Sequence, residues 1–287
     1  MDILLQIVIP GLLTGLVFAL VAAGLTLIYG VMDIVNFAHG EFLMLAMYLA
    51  FWMWALWRVD PLLSIPVTAL VLFGVGVVTY VLLVRHIIGA PMVAQIFATF
   101  GLMVFLRSLA QFLWSPDYRY IGASIASGRL QLLGVFVAQS EVVAAIGAVM
   151  ATAALYLLLT RTELGRALRA VAEDRQAAEL MGIDSQRMFA LAWGISAACV
   201  GVAGSLLARH FPIFPEVGTI FALTAFVVVA LGGFGSVVGA LVAGILVGLL
   251  QVASGLLLQP ALKYVPVLAL YLAVVLVRPR GLLGWAT

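Results

Sequence analysis

Four polar side chains interrupt an apolar stretch early in the chain, and they are the first groups that could do chemistry. Within residues 29–41 they are Asp33, Asn36, His39 and Glu41. Inside a membrane, polar groups are tolerated only where they are buried in protein or line a cavity, and there they can bind a polar solute or an ion. We predict that Asn36, His39 and Glu41 line a transport pathway. In the alternative interpretation, Asp33 and Asn36 cap the next helix at the cytoplasmic boundary and Glu41 lies in interfacial water.

A second interruption, within residues 231–239, occupies a corresponding place late in the chain. It contains Gly232, Gly233, Gly235 and Ser236, and we predict that these residues line the same pathway. Each interruption lies between two apolar helices, and the two are about 200 residues apart, a pattern that indicates a parallel internal repeat. Helix starts beside them would present free N–H groups and a positive dipole end to a carboxylate.

Signatures of enzymes are missing from the sequence. The only lysine, Lys263, does not follow glycine, so the sequence has no phosphate-binding loop ending in Gly-Lys-Ser/Thr. His39, His86 and His210 form no His-Glu-x-x-His pair, and no Gly-x-Ser-x-Gly elbow occurs. Cys199 is the only cysteine, which excludes an internal disulfide and a cysteine metal cluster. We therefore predict no catalytic residue, no metal site and no cofactor.

The composition sets the class of protein that must position these polar groups. Of 287 residues, 66% are hydrophobic and only 9% are charged, whereas soluble domains carry about a quarter charged residues. The apolar residues come in blocks of roughly 18 to 25, the length that crosses about 30 Å of hydrocarbon. The net charge of +2 is too small to indicate nucleic-acid binding. We predict an all-α, polytopic membrane protein that contacts the lipid bilayer directly.

Nine apolar segments predict the spanning helices of one transmembrane domain over residues 1–287. They lie at residues 4–30, 41–57, 62–84, 93–113, 142–160, 188–208, 218–231, 237–257 and 262–277. Because the later segments are closely spaced, we expect eight to ten helices, some of them broken.

Basic residues predict the orientation, since they are retained on the cytoplasmic side of short loops. One side of the alternation carries Arg85, Arg161, Arg166, Arg169, Arg175, Arg187, Arg278 and Arg280, and the other carries Arg58, Arg119, Arg129, Arg209 and Lys263. The C-terminus is therefore predicted to be cytoplasmic and the N-terminus external. A polar loop at 161–187 is then cytoplasmic. A second loop, at 114–141, is extracytoplasmic and covers the outer mouth of a pathway or contacts an external partner.

Arg107 falls within the fourth predicted helix. An arginine at the centre of a spanning helix costs about 2.5 to 3.5 kcal/mol on insertion scales. We therefore expect Arg107 to lie one turn nearer the surface and to extend its side chain outward to the headgroups.

Three glycine pairs at four-residue spacing predict close helix packing. They are Gly11 with Gly15, Gly235 with Gly239, and Gly244 with Gly248. Such pairs let two helix backbones approach closely. The sequence leaves open whether they join helices within the chain or form a contact with a second membrane subunit.

The cytoplasmic loop has its own pattern. Leu164, Leu168 and Val171 recur at helical spacing and predict an amphipathic helix. A short helix of small residues follows over 176–181, and Gly182 is suited to a left-handed C-cap. Small side chains permit close approach by another protein. The alternative is a helix that lies on lipid headgroups.

Motifs in this loop and elsewhere resemble one transporter family. Ala177-Ala178, followed by three residues and Gly182, resembles the EAA loop by which permeases of ATP-binding-cassette (ABC) importers dock into their ATPases, with Gln176 at the usual place of Glu. The runs DRQAAELMGID, GLTLIYGVMDIVNFAHGEF, VVVALGGFGSVVGALVAG and RPRGLLG resemble permease subunits of the high-affinity branched-chain amino acid importer. Together they cover nearly the whole chain.

This resemblance implies an assembly in a bacterial inner membrane. It contains a second homologous permease, two cytoplasmic ABC ATPase subunits and a periplasmic substrate-binding protein. The residues that the resemblance places at the ATPase contact are Asp174, Arg175, Ala177, Ala178, Glu179 and Gly182. The implied substrates are branched-chain amino acids, with another amino acid or a small amide such as urea as the alternative. From a different class, a self-sufficient channel or ion-coupled carrier remains open, with residues 33–41 as its coupling site.

Overall fold

The computed structural model describes residues 3–122, 125–126, 128–278 and 281–283. Within these ranges the chain is a bundle of α-helices with one short β-hairpin. The helices are α1 (Ile3–Met32), α2 (His39–Trp57), α3 (Pro61–Leu82), α4 (Met92–Trp114), α5 (Gln139–Arg161), α6 (Glu163–Glu173), α7 (Arg175–Leu180), α8 (Ser185–Leu207), α9 (Val217–Gly232), α10 (Val237–Leu257) and α11 (Val265–Val277). The strands are β1 (Arg129–Leu132) and β2 (Val135–Ala138), which pair antiparallel.

The predicted spanning helices are confirmed. The nine predicted segments correspond to α1–α5 and α8–α11. Eight of them are long and apolar enough to cross a membrane, α11 being so together with the 3-10 turn Pro260–Leu262 that precedes it. α9 has only 16 residues, and α6 and α7 lie in the loop between α5 and α8. Arg280, which contributed to the predicted orientation, lies outside the described residues.

The centre of the bundle is formed by α1, α2 and α8. Several of their large side chains are completely buried, among them Leu20, Phe42, Tyr48 and Trp193. A helix surrounded by other helices needs apolar or small residues on all sides, and α1, α2 and α8 have such sequences. Their position makes them the scaffold on which the polar residues of the first interruption are held.

The contacts of the glycines show which helices the four-residue glycine pairs bring together. Gly11 and Gly15 of α1 face Gly244 and Gly248 of α10, and a Cβ added at Gly15 would lie 2.7 Å from the carbonyl oxygen of Gly244. The third pair, at 235–239, contacts α1 and α9. All three pairs therefore join helices within the chain, which answers the question that the sequence left open.

The hairpin is a departure from the predicted all-helical fold. The loop at 114–141 was predicted without any strand, yet β1 and β2 form there. Leu133 and Gly134 both have positive φ, 50° and 87°, as a two-residue turn compatible with strand twist requires. Leucine is an unusual residue at such a position, and this is why the sequence pattern gave no sign of the hairpin.

Candidate functional site

Between α1 and α2 the chain turns back into the bundle. α1 ends at Met32, and Asp33 is left-handed with φ 55°. At the start of α2, His39 Nε2 lies 2.9 Å from the carbonyl oxygen of Val21. Val21 lies 11 residues before the end of α1, which is about 16 Å along the helix axis. α2 therefore begins well inside the bundle.

The three side chains predicted to line the pathway are brought together here and buried. Asn36 and His39 are fully buried and Glu41 is 1% exposed, whereas Asp33 is exposed. Asn36 Oδ1 does accept the N–H of Ala38 at 3.0 Å, as a cap would. Both Asn36 and Glu41 are nevertheless enclosed by protein, so neither side chain is exposed at the surface of the chain.

Several atoms of this cluster have hydrogen-bonding capacity to spare. Asn36 Nδ2, His39 Nδ1 and Glu41 Oε2 are buried and have no partner among the described residues. Leaving a buried polar group unpaired costs about 1–3 kcal/mol, so such groups call for a functional explanation. Across the described ranges, no three His, Cys, Asp or Glu side chains come together to hold a metal ion. The cluster is therefore suited to binding by hydrogen bonds and charge.

Arg107 does not extend to the headgroups, so that expectation is wrong. Its Nη2 lies 2.5 Å from Glu41 Oε1 and 2.7 Å from Thr219 Oγ1. Arg107 lies 15 residues from Met92 and 7 from Trp114, or about 22 Å and 10 Å along α4. A carboxylate on α2 at the same depth stabilises the guanidinium there, and this offsets the cost of an isolated charge in the membrane.

The start of α9 completes the site. Gln111 Nε2 of α4 donates to Glu216 Oε1 at 2.6 Å, immediately before α9, and Thr219 in its first turn accepts from Arg107. The backbones of Gly40 and Gly218 are in contact, since a Cβ added at Gly218 would lie 2.5 Å from the carbonyl oxygen of Gly40. The first turns of α2 and α9 therefore meet beside the ion pair.

Neither of these two helix starts has a side-chain cap. Ala38 and Glu216 occupy the N-cap positions without a side-chain hydrogen bond to the helix. Helix starts carry free N–H groups and a partial positive charge that favour anions. Two such starts converge on one place, together with an arginine, and this arrangement favours carboxylates, those of Glu41 and Glu216 among them.

Sequence reasoning missed four residues of this site. They are Arg107, Gln111, Glu216 and Thr219. One signal was available: the α9 segment spans only about 24 Å, too short for about 30 Å of hydrocarbon, and prolines at 212 and 215 precede it. A segment this short has at least one end inside the membrane, so its first turn was a candidate for contact with buried polar groups.

The residues of the second interruption lie elsewhere. Gly233 and Gly235 have positive φ, 100° and 82°, and Ser236 Oγ accepts the N–H of Gly239 as the cap of α10. Gly235 packs on Gly30 near the end of α1. Gly232 is buried, Gly235 is exposed and Ser236 is partly exposed. Gly30 is 9 residues from Val21, which His39 contacts, so this interruption is about 14 Å from that contact along α1.

The loop between α5 and α8 has the predicted local structure. In α6, Leu168 and Val171 are buried and Leu164 is partly buried, which confirms the amphipathic helix. Asp174 Oδ1 accepts the N–H of Ala177 at 2.9 Å and caps α7. Gly182 ends this short helix with φ 84°, as predicted for a left-handed C-cap.

α7 presents an apolar tip. Leu180 and Met181 are 88% and 82% exposed, and Ala177 is exposed while Ala178 is buried. Glu179 accepts hydrogen bonds from Ser185 and, at 3.0 Å, from Arg175. These bonds, that of Ser185 foremost, hold the pKa of Glu179 below its usual value. The turn is therefore tied to the start of α8 while its two apolar side chains project from it.

Comparisons with known proteins agree with this architecture. A family model described as "Branched-chain amino acid transport system / permease component" matches residues 7–276. The chain is 29% identical to BraD of Pseudomonas aeruginosa and 29% identical to LivH of Escherichia coli K12, both named high-affinity branched-chain amino acid transport system permease proteins. Each alignment covers 98% of this chain and 95% of the relative.

A third relative matches in part. LivM of Escherichia coli K12, another permease protein of that transport system, is 38% identical over 130 residues, which is 44% of this chain and 29% of LivM. No solved structure matches. Because the family model covers more than half of the chain, the chain belongs to the family of permease components of branched-chain amino acid transport systems.

Proposed function

We propose that this chain is a transmembrane permease subunit of an ABC importer that moves branched-chain amino acids across the inner membrane. The observation that carries the proposal is the similarity to BraD and LivH over 98% of the chain. The partial similarity to LivM supports pairing with a second, homologous permease. Two ATPase subunits and a periplasmic binding protein complete the assembly, and the C-terminus is cytoplasmic.

The loop between α5 and α8 supports docking to an ATPase. At the end of α7, Leu180 and Met181 project from the structure, while the Glu179 carboxylate is tied back to Ser185 and Arg175. Two exposed apolar side chains on a fixed short helix are suited to insertion into a pocket of another protein.

α8 offers a route from this loop to the buried site. It begins at Ser185, whose side chain bonds Glu179. About 14 residues further on, Cys199 lies beside Gly24 and His39. Movement of the loop, driven by closure of the ATPase dimer, would tilt α8 against α1 and α2. Access to the site would then alternate between two conformations with different affinities for ATP.

The docking test compares the exposed apolar pair at the tip of α7 with one exposed leucine elsewhere on the chain. We expect a Leu180→Asp/Met181→Asp variant to lose copurification with the ATPase subunits, because charge at the tip opposes its burial in a protein pocket. The matched control is Leu133→Asp, which alters an exposed leucine (79%) of the hairpin. If the variant at the tip of α7 retains the ATPases as the control does, the proposed docking surface is wrong.

Transport is tested with the complete importer. Uptake of labelled leucine, isoleucine and valine should need the ATPases and ATP. The chain reconstituted alone should give no gradient-driven flux. Flux through the chain alone would contradict this proposal and favour a self-sufficient carrier.

A further inference from the structure

We infer that Glu41 and Arg107 form a recognition site for the zwitterionic head of an α-amino acid, with the substrate carboxylate received by Arg107 and the substrate ammonium by Glu41. This inference rests on the proposed function. It adds a site within the permease itself, where each charge of the ion pair has a defined role.

The first argument is the direction that the site faces. Arg107 is 24% exposed, and Gln111 and Thr219 beside it are exposed. All three lie within the spanning part of α4 or the first turn of α9. Charged and amide groups are not left against hydrocarbon, so ionisable residues in spanning helices face a bundle interior or a water-filled path. This polar face is therefore the side from which a substrate can arrive.

The second argument is the spare bonding capacity of the pair. Glu41 uses Oε1 for Arg107, and its Oε2 is buried without a partner among the described residues. Arg107 uses one nitrogen, Nη2, for both Glu41 and Thr219, and its Nε is likewise buried without a partner. A carboxylate offers only acceptors and a guanidinium only donors. These are the groups that an ammonium and a carboxylate respectively require.

The third argument is charge balance. The Glu41–Arg107 pair is neutral overall, and so is an amino acid zwitterion; the carboxylate of Glu216, which accepts from Gln111, lies beside the pair and is unchanged by the exchange. Exchanging the Glu41–Arg107 contact for two contacts with the substrate therefore changes no net charge in the membrane. The uncapped starts of α2 and α9 meet beside Arg107 and add N–H donors for the same carboxylate. An anion alone, or a cation alone, would leave one member of the buried pair without its counter-charge.

The direct test measures binding to the permease–ATPase complex without the binding protein. Labelled leucine is bound to the detergent-purified complex and displaced with unlabelled leucine, leucine amide or 4-methylpentanoate. Each analogue lacks one of the two charges. We expect both analogues to compete at least about tenfold more weakly than leucine. Equal competition by all three compounds, or no leucine binding by a complex that transports leucine, would overturn the inference.

A charge exchange distinguishes recognition from a structural ion pair. Glu41→Gln and Arg107→Gln should each lower leucine uptake at least about tenfold. The double variant Glu41→Arg/Arg107→Glu recreates the pair with its members exchanged. If the pair recognises substrate, the double variant should recover thermal stability but not uptake, because the donor and acceptor positions are reversed. Recovery of uptake together with stability would show that the pair is structural only.

Failure of the proposed function would look different. In that case the wild-type complex would not assemble with ATPases or would not take up leucine at all. The binding and charge-exchange measurements therefore use, as reference, a wild-type importer that assembles with its ATPases and takes up leucine.

Discussion

Replacing Gly218 with alanine tests the contact that positions the buried site. The added Cβ would lie 2.5 Å from the carbonyl oxygen of Gly40, whereas ordinary contact begins at 3.4 Å. α9 must therefore move from α2 by about 0.9 Å, or neighbouring atoms must shift by as much. Overpacking of this kind costs typically about 1–3 kcal/mol of stability.

The same shift would disturb the polar contacts one residue away. Thr219 Oγ1 accepts from Arg107 at 2.7 Å, and a displacement of about 0.9 Å would take the two atoms beyond hydrogen-bonding distance. We therefore expect Gly218→Ala to lower both the melting temperature of the purified complex and the rate of leucine uptake, the latter about tenfold.

Gly101→Ala is the matched control. Gly101 lies on α4, and a Cβ added there meets nothing within 4 Å. This variant should keep wild-type uptake, with stability unchanged or slightly raised because alanine favours helix. Wild-type melting and wild-type uptake by Gly218→Ala would refute the reasoning that α2 and α9 are in backbone contact at this point.

Three further changes test separate parts of the fold. Thr68→Val removes the 2.6 Å hydrogen bond between α3 and Ser205 of α8 and should lower stability by about 0.6–1.7 kcal/mol without changing leucine uptake, as thermal melting and transport assays would show. Gly15→Leu should separate α1 from α10 at Gly244 and reduce the yield of folded protein in detergent, measured by size-exclusion chromatography. Gly182→Ala places a side chain at φ 84°, costing about 1–2 kcal/mol, and should weaken ATPase copurification, whereas Gly182→Asn should retain it.

The spanning helices could be predicted from the sequence because their signal is local. The segment predicted at 62–84, for example, is α3, Pro61–Leu82. Its proline start and the acceptor side chain of Asp60, which binds the N–H of Leu62, are short-range features. The amphipathic helix α6 and the C-cap at Gly182 were predictable for the same reason.

The buried site could be predicted only in part. Asn36, His39 and Glu41 were recognised because polar residues in an apolar run are conspicuous. The partner of Glu41 was not, since Arg107 lies 66 residues away and nothing in either local sequence specifies the pairing. In addition, the expected outward extension of Arg107 treated its helix as if it stood alone in lipid. A counter-charge on another helix removes the reason for a long side chain to seek the headgroups.

The second interruption shows how similar local patterns differ in tertiary context. Both interruptions are rich in glycine and polar residues, and the prediction placed both on one pathway. Only the first enters the middle of the bundle, because His39 reaches Val21 there. Ser236 instead caps α10 near the end of α1. The two interruptions differ in how deep in the bundle the following helix begins. Hydrophobic periodicity in the sequence does not indicate that depth.

The separation of the two charges along the chain also has a consequence for biosynthesis. Glu41 emerges from the ribosome 66 residues before Arg107, so α2 must enter the membrane before its basic counterpart exists. During that interval the acidic group has no guanidinium to neutralise it. A nascent chain stalled between α3 and α4 should therefore hold α2 less firmly in the lipid phase than the finished polypeptide does.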